Sequence, residues 1–172
     1  MENTIKFGNE IIRVDETLPE IGSRAKNFFL TKLDFDTIEL KDFVGSRLIL
    51  NIFPSVDTPV CATALREFNM LAAKMENAKV LCISKDLPFA LANFCAANGI
   101  DNVISLSDYR MDSGFAREYG VLMIDPPLKY LMARAVIILD ENHKVIYTEL
   151  CKDLDKEPNY EGALYALDSV HA

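Results

Sequence analysis

A cysteine in the first turn of a helix is where this sequence offers most for chemistry. Cys61 follows Thr58-Pro59-Val60. Thr58 can cap a helix, and Pro59 suits the first helical position, where its missing N–H costs nothing. Cys61 then takes the third helical position, which a capping box would give to Glu. Unpaired N–H groups and the positive end of the helix dipole favour a thiolate over a thiol there. The residues before it, Leu48 to Phe53, are almost continuously apolar, as in a strand covered on both faces. The sulfur would therefore stand just past the carboxyl end of a central strand, where ligand sites in open α/β sheets collect. Pro54, Thr58 and Cys61 together form P-x-x-x-T-x-x-C. Pro54 can fence off the sulfur, while the Thr58 hydroxyl can both donate and accept a hydrogen bond. On placement alone, a small apolar residue on the core face of its helix also explains Cys61.

The other candidates are plainer. Cys82 sits mid-strand and reads as structural. Cys95 shares a helix face with Leu91 and Phe94 and reads as core, while Cys151, just past the last strand, reads as an exposed thiol. No C-x-x-C or zinc-ribbon spacing occurs, and neither histidine, His143 or His171, lies near a cysteine in sequence. No metal site and no cofactor is expected. His143 in a turn and His171 beside the carboxyl end are expected to be solvated, without a catalytic task.

The elements around Cys61 follow from periodicity. Thr4 to Phe7 and Ile11 to Val14 alternate around Gly8-Asn9, as in a hairpin. Phe28 to Leu30 and Thr37 to Leu40 are short extended pieces. After the strand at 48–53, the residues Cys61, Ala64, Leu65, Phe68, Leu71, Ala72 and Met75 recur on one helical face. Val80 to Ser84 completes a β-α-β unit. Pro88 to Asn98 predicts a second helix stopped by Gly99. Val103 to Leu106 is a strand and Phe115 to Tyr119 a helical turn or two. Ala133 to Leu139 and Val145 to Leu150 flank a turn at 140–143, and Tyr160 to Val170 closes the chain as a helix. The order is that of an α/β, thioredoxin-like fold with a mixed central sheet, flanking helices and an amino-terminal hairpin extension. Residues 1–172 read as one domain, since no linker or repeat divides them.

Composition narrows the partners. The 172 residues are 50% apolar and 26% charged, with a net charge of −8. That balance disfavours nucleic acid and anionic membrane surfaces, both of which call for a basic face. The longest strongly apolar run, Ala135 to Leu139, is far short of the roughly 20 residues that span a bilayer. Met1 to Thr4 lacks the start of a signal peptide, so the cytoplasm is the expected location.

The segment from Asn51 to Cys61 resembles the active-site segment of bacterial thiol peroxidases, an atypical two-cysteine branch of the peroxiredoxins. The likeness continues through Leu81 to Ala90, Phe94-Cys95, Asn102 to Leu106, Pro127-Leu128-Lys129 and Ala133-Arg134-Ala135-Val136. It covers nearly the whole chain, departing at Pro59, where that family usually carries Gly. Pro fixes φ and suits a helix start, so the loop should survive.

The resemblance implies roles. Cys61 would be the peroxidatic nucleophile and Cys95 the resolving thiol. Thr58 and Arg134 would hold the thiolate and the peroxide oxygens, with Pro54 shielding them. Without the family, Arg134 is an ordinary Arg at a strand start; with it, a fixed positive charge stabilises the thiolate and the departing oxygen. The implied cycle reduces hydrogen peroxide or an organic hydroperoxide through a Cys61 sulfenic acid, then an intrachain Cys61–Cys95 disulfide reopened by thioredoxin or a similar dithiol. Both cysteines fall in predicted helices, so local unwinding is expected. A homodimer is a further family expectation. Two competing functions remain: thioredoxin-like disulfide exchange, which Ala64 disfavours because it occupies the second thiol position of C-x-x-C, and a non-catalytic binding module.

Overall fold

The structure, a computed structural model, describes residues 3–169. Strands β1 (Asn3–Phe7) and β2 (Glu10–Asp15) form the expected hairpin. Then come β3 (Phe29–Thr31), β4 (Thr37–Glu39), a 3₁₀ turn at Leu40–Phe43 and β5 (Arg47–Ile52). Helix α1 (Pro59–Ala72), β6 (Ala78–Ser84), α2 (Pro88–Asn98) and β7 (Ile104–Ser107) make the two β-α-β crossovers. Helix α3 (Phe115–Glu118), β8 (Leu122–Met123), β9 (Ala135–Leu139), β10 (Val145–Leu150) and α4 (Tyr160–Ser169) complete the chain. Val170 and His171 lie outside the described residues.

Seven strands form one mixed sheet in the order β10-β9-β5-β6-β7-β3-β4. Strands β5, β6 and β7 are parallel, and β9 and β3 run antiparallel against their flanks. All six residues of β5 are buried, including Arg47 and Asn51, which accounts for its mostly apolar sequence. Alternation divides them. Leu48, Leu50 and Ile52 face a core completed by Phe28, Phe115 and Tyr119. Ile49 and Phe53 face the other core, with Cys61, Leu65 and Phe68 of α1, Leu91 of α2, and Ala163 and Leu167 of α4. The sheet thus lies between two apolar layers, with both α1 and α2 on the same side.

Three details differ from expectation. Helix α1 stops at Ala72 with Ala73 as its cap, so Met75 lies beyond it, though still packed on the same core. The two-residue β8 pairs with β2 and turns the hairpin into a separate three-stranded sheet. Gly120, just before it, has φ +69, and a Cβ there would meet the Thr17 carbonyl oxygen at 2.0 Å. His143 is not solvated: it is 7% exposed, and Nε2 lies 3.1 Å from the Phe43 carbonyl oxygen. Its backbone is left-handed, with φ +61.

Candidate active site

Strand β5 ends at Ile52, and the chain passes Phe53 and Pro54, both buried, before entering α1. Thr58 is extended (φ −93°, ψ 143°) and Pro59 takes the first helical position. The Thr58 hydroxyl oxygen accepts the Cys61 N–H at 3.3 Å and donates to the Ser55 carbonyl at 3.1 Å. One hydroxyl therefore both starts the helix and closes the turn before it. The cap expected from sequence forms, and it fixes the backbone of Cys61.

The Cys61 side chain is fully buried. Arg134, the residue before β9, donates from Nη1 to Cys61 Sγ at 3.2 Å and from Nη2 to the Leu154 carbonyl at 2.8 Å. Arg134 is 1% exposed, and its Nε has no hydrogen-bond partner in the described structure. No carboxylate lies within ion-pair distance of it among the described residues. A buried guanidinium without a carboxylate needs another anion nearby. Among the described residues, the ionisable group that its guanidinium hydrogen-bonds is the sulfur of Cys61. The amino-terminal turn of α1 and the Arg134 guanidinium converge on one atom, the Cys61 sulfur.

Beside this pair lies a pocket of about 140 Å³, with Pro54, Thr58 and Arg134 among its walls and Phe7, Leu128 and Leu131 closing it. Ser55, Thr58, Arg134 and Asp155 are its polar lining residues and the others are apolar, as in a site that orients a reactive group within apolar surroundings. A larger hollow of about 540 Å³ lies between residues 16–26 and residues 117–119, and none of the sequence-derived site residues lines it.

Pro54, Thr58, Cys61 and Arg134 are thus brought together. Cys95 is not bonded to them: all four cysteines are free thiols. It sits half-buried on α2, with Sγ 3.4 Å from Ser105 Oγ, and packs against the same core that contains Cys61. Cys82 is fully buried, and Asn51 Nδ2 donates to its sulfur at 3.6 Å. Burial pushes its thiol up to about 12. Cys151 corrects the expectation of an exposed thiol, being only 6% exposed. Its N–H donates to the Arg134 carbonyl at 2.9 Å, and burial, reinforced by Glu149, pushes its thiol up to about 12. Both are poor nucleophiles near neutrality.

Sequence reading did not find the groups that hold the site from outside. The Leu154 carbonyl that anchors Arg134 is a backbone group with no side-chain signal. Phe7, Leu128 and Leu131 come from segments distant in sequence. Asp86 lies in the Ser84-Lys85-Asp86 stretch, and its carboxylate accepts the Val56 N–H at 2.9 Å and the Ser55 hydroxyl at 2.7 Å.

Residues 20–164 match the Redoxin family. A thiol peroxidase from Corynebacterium glutamicum is 50% identical over 168 residues, covering 98% of this chain and 100% of that protein. Among solved structures, a peroxiredoxin-like protein from Aquifex aeolicus superposes with a TM-score of 0.91 at 31% identity, covering 98% of both chains. A thiol peroxidase from Chromobacterium violaceum reaches a TM-score of 0.90 at 24% identity, over 98% of this chain and 97% of that one, a likeness of fold.

Proposed function

The chain belongs to the Redoxin family and is a thiol-dependent peroxidase, and from that premise we propose that Cys61 is its peroxide-reducing nucleophile, with Cys95 as resolving thiol. The observation carrying this is the 3.2 Å contact from the buried, carboxylate-free Arg134 to the Cys61 sulfur. The substrate is a hydroperoxide, hydrogen peroxide or an organic one, entering beside Pro54.

The Cys61 thiolate attacks the near oxygen in line with the O–O bond. The S–O bond forms as the O–O bond breaks, leaving a sulfenic acid and an alkoxide or hydroxide that takes a proton and departs as alcohol or water. Arg134 stabilises the charge collecting on the departing oxygen. The Thr58 hydroxyl hydrogen is engaged by Ser55, so toward the peroxide this oxygen accepts a hydrogen bond and orients the O–H. Pro54 keeps bulk water from the sulfur. The Cys95 thiol then displaces the hydroxyl from the sulfenic acid, forming the disulfide and releasing water. An external dithiol, for which thioredoxin is the proposed donor, reduces that disulfide by exchange and is itself oxidised.

The proposal includes one domain over residues 1–172, a homodimer and a cytoplasmic location. No helix among the described residues is long and apolar enough to cross a membrane. Sedimentation at micromolar concentration tests the dimer, since a single species of 19.3 kDa would refute it.

Disulfide mapping by mass spectrometry tests the chemistry. Fully reduced protein given one equivalent of an organic hydroperoxide should lose two hydrogens, with Cys61 joined to Cys95. Oxygen added to Cys61 without a disulfide would remove Cys95 from its role, and an unmodified Cys61 would overturn the assignment of the nucleophile.

A further inference from the structure

Asp86 stands between the two segments that the cycle must bring together. Its Oδ1 accepts the Ser55 hydroxyl at 2.7 Å, while Oδ2 accepts the Val56 N–H at 2.9 Å and the Ser84 hydroxyl at 2.6 Å. On its own backbone, the N–H donates to Ser84 Oγ at 3.3 Å, and the carbonyl accepts the Ser107 hydroxyl. The residue is therefore tied into the ends of β6 and β7, two positions before Pro88 opens α2. Its carboxylate is the part that reaches out to the loop preceding Cys61.

The connection to the sulfur is continuous. Ser55, held by Asp86, offers its carbonyl to both the N–H (3.3 Å) and the hydroxyl (3.1 Å) of Thr58. Thr58 in turn accepts the Cys61 N–H. Nothing in this series is a long side chain free to rearrange. Losing the carboxylate would leave the Val56 N–H without its partner and the Ser55 carbonyl unaimed, with the cap of α1 behind them.

We infer that Asp86 is a positioning residue for peroxide attack: it holds the Ser55–Thr58 turn so that Cys61 faces Arg134, and its bonds to that turn are the ones released when the first turn of α1 opens toward Cys95. The inference rests on the roles proposed above for Cys61 and Cys95. It assigns Asp86 opposite effects on the two chemical steps. Peroxide attack needs the turn closed, whereas disulfide formation needs it open. A residue that merely stabilised the fold would not separate them.

The test is rapid-mixing kinetics on reduced wild type, Asp86→Ala, Asp86→Asn and Ser55→Ala. Peroxide attack is followed by trapping the Cys61 sulfenic acid, and disulfide formation by the appearance of the Cys61–Cys95 bond. In Asp86→Ala, attack should slow by about 10- to 100-fold, the scale expected when a reacting group is misplaced, with condensation as fast as in wild type or faster. Asp86→Asn should recover most of the attack rate. Its carbonyl can accept from Val56 and Ser84, and its amide can donate to a reversed Ser55 hydroxyl. Ser55→Ala, which loses one of the bonds, should shift both rates in the same directions by a smaller factor. Amides 55–61 of reduced Asp86→Ala should exchange faster than in wild type.

Equal slowing of both steps, or wild-type attack and amide exchange in Asp86→Ala, would overturn the inference while leaving the peroxidase assignment intact. If Asp86→Ala does not fold, Asp86→Asn and Ser55→Ala decide the matter, and identical rates in Ser55→Ala and wild type would refute it. Wild type that forms no Cys61 sulfenic acid would overturn the underlying assignment and this inference together.

Discussion

The Lys6 carbonyl accepts the Leu154 N–H at 2.9 Å, and the Leu154 carbonyl in turn accepts Arg134 Nη2 at 2.8 Å. The amino-terminal hairpin thus reaches the Cys61 sulfur through two backbone groups and one guanidinium. The Lys6 N–H completes the tie by donating to the Lys152 carbonyl at 2.7 Å. This amide points away from β2, so Lys6→Pro removes the bond to Lys152 without breaking the hairpin ladder, while the residue 6 carbonyl can still accept the Leu154 N–H. Peroxide attack on Cys61 should fall about tenfold, the effect of a loosened clamp on a reacting group, in a rapid-mixing assay. An unchanged rate would mean that Arg134 is held without help from the Lys152 bond.

Arg134 has no carboxylate to leave stranded, which separates its effect on activity from its effect on stability. Arg134→Met removes a buried cation that is paired with no carboxylate among the described residues. The reduced protein should melt no lower than wild type while peroxide attack falls at least about 100-fold, the scale for losing a preorganised donor. Arg134→Lys should also be impaired, since one ammonium cannot replace the planar fork that serves both Sγ and Leu154. A large drop in melting temperature for the Met variant would mean that the guanidinium holds the fold.

Removing the α1 cap should be measurable in both properties. Thr58→Ala should cost about 1 kcal/mol, lowering the melting temperature by about 2–4 °C for a chain of this size, and should slow peroxide attack. Thr58→Ser keeps the bond to the Cys61 N–H and should restore both. Failure of Ser to restore the attack rate would shift the role of Thr58 from its hydroxyl to its methyl group.

Two buried thiols give stability an alkaline limit. Cys82 and Cys151 are held neutral up to about 12 in the folded chain, above the ordinary thiol value near 9. Between those values the unfolded chain has lost protons that the folded chain retains, so stability falls as pH rises. The slope is about 1.4 kcal/mol per pH unit for each group. The contribution is complete below about pH 9 and gone above about pH 12. Urea titrations across that window should show the decline, and Cys82→Ala combined with Cys151→Ala should make it shallower, leaving the part due to Tyr119, Tyr147 and Tyr160, whose hydroxyls burial also pushes up. An equally steep decline in the double variant would place its cause elsewhere.

Cys61 and Cys95 are free thiols on two separate helices, α1 and α2, so the proposed disulfide between them should call for local opening. Amide exchange around 59–65 or 90–98 should therefore be faster in oxidised than in reduced protein. Equal protection in both states would show that the two cysteines join without unwinding.

What was legible in the sequence was local. Helix α2 was legible to the residue because Pro88 and Gly99 (φ +63) punctuate it by their own backbone limits. The Thr58 cap was legible for the same reason. Strand β8 was not, since two residues carry no periodicity and Leu122–Met123 becomes a strand only by pairing with β2. His143 and Cys151 misled in a related way. A turn and a strand end suggest exposure, yet the Phe43 carbonyl and the Arg134 strand cover them from afar. The sulfur, cap and guanidinium of the site could be named, but the groups aiming them, the Leu154 carbonyl and the Asp86 carboxylate, could not.

Cys61 is at once the proposed nucleophile and a fully buried member of the core beneath α1. On the proposed route, passage of its sulfur to Cys95 should therefore hydrate apolar surface that peroxide attack leaves dry. Hydrating such surface carries a positive heat capacity. The two halves of the cycle consequently respond differently to temperature, with a curved Eyring plot for condensation and a nearly straight one for attack. On the proposed cycle, warming should therefore change the two rates by different factors.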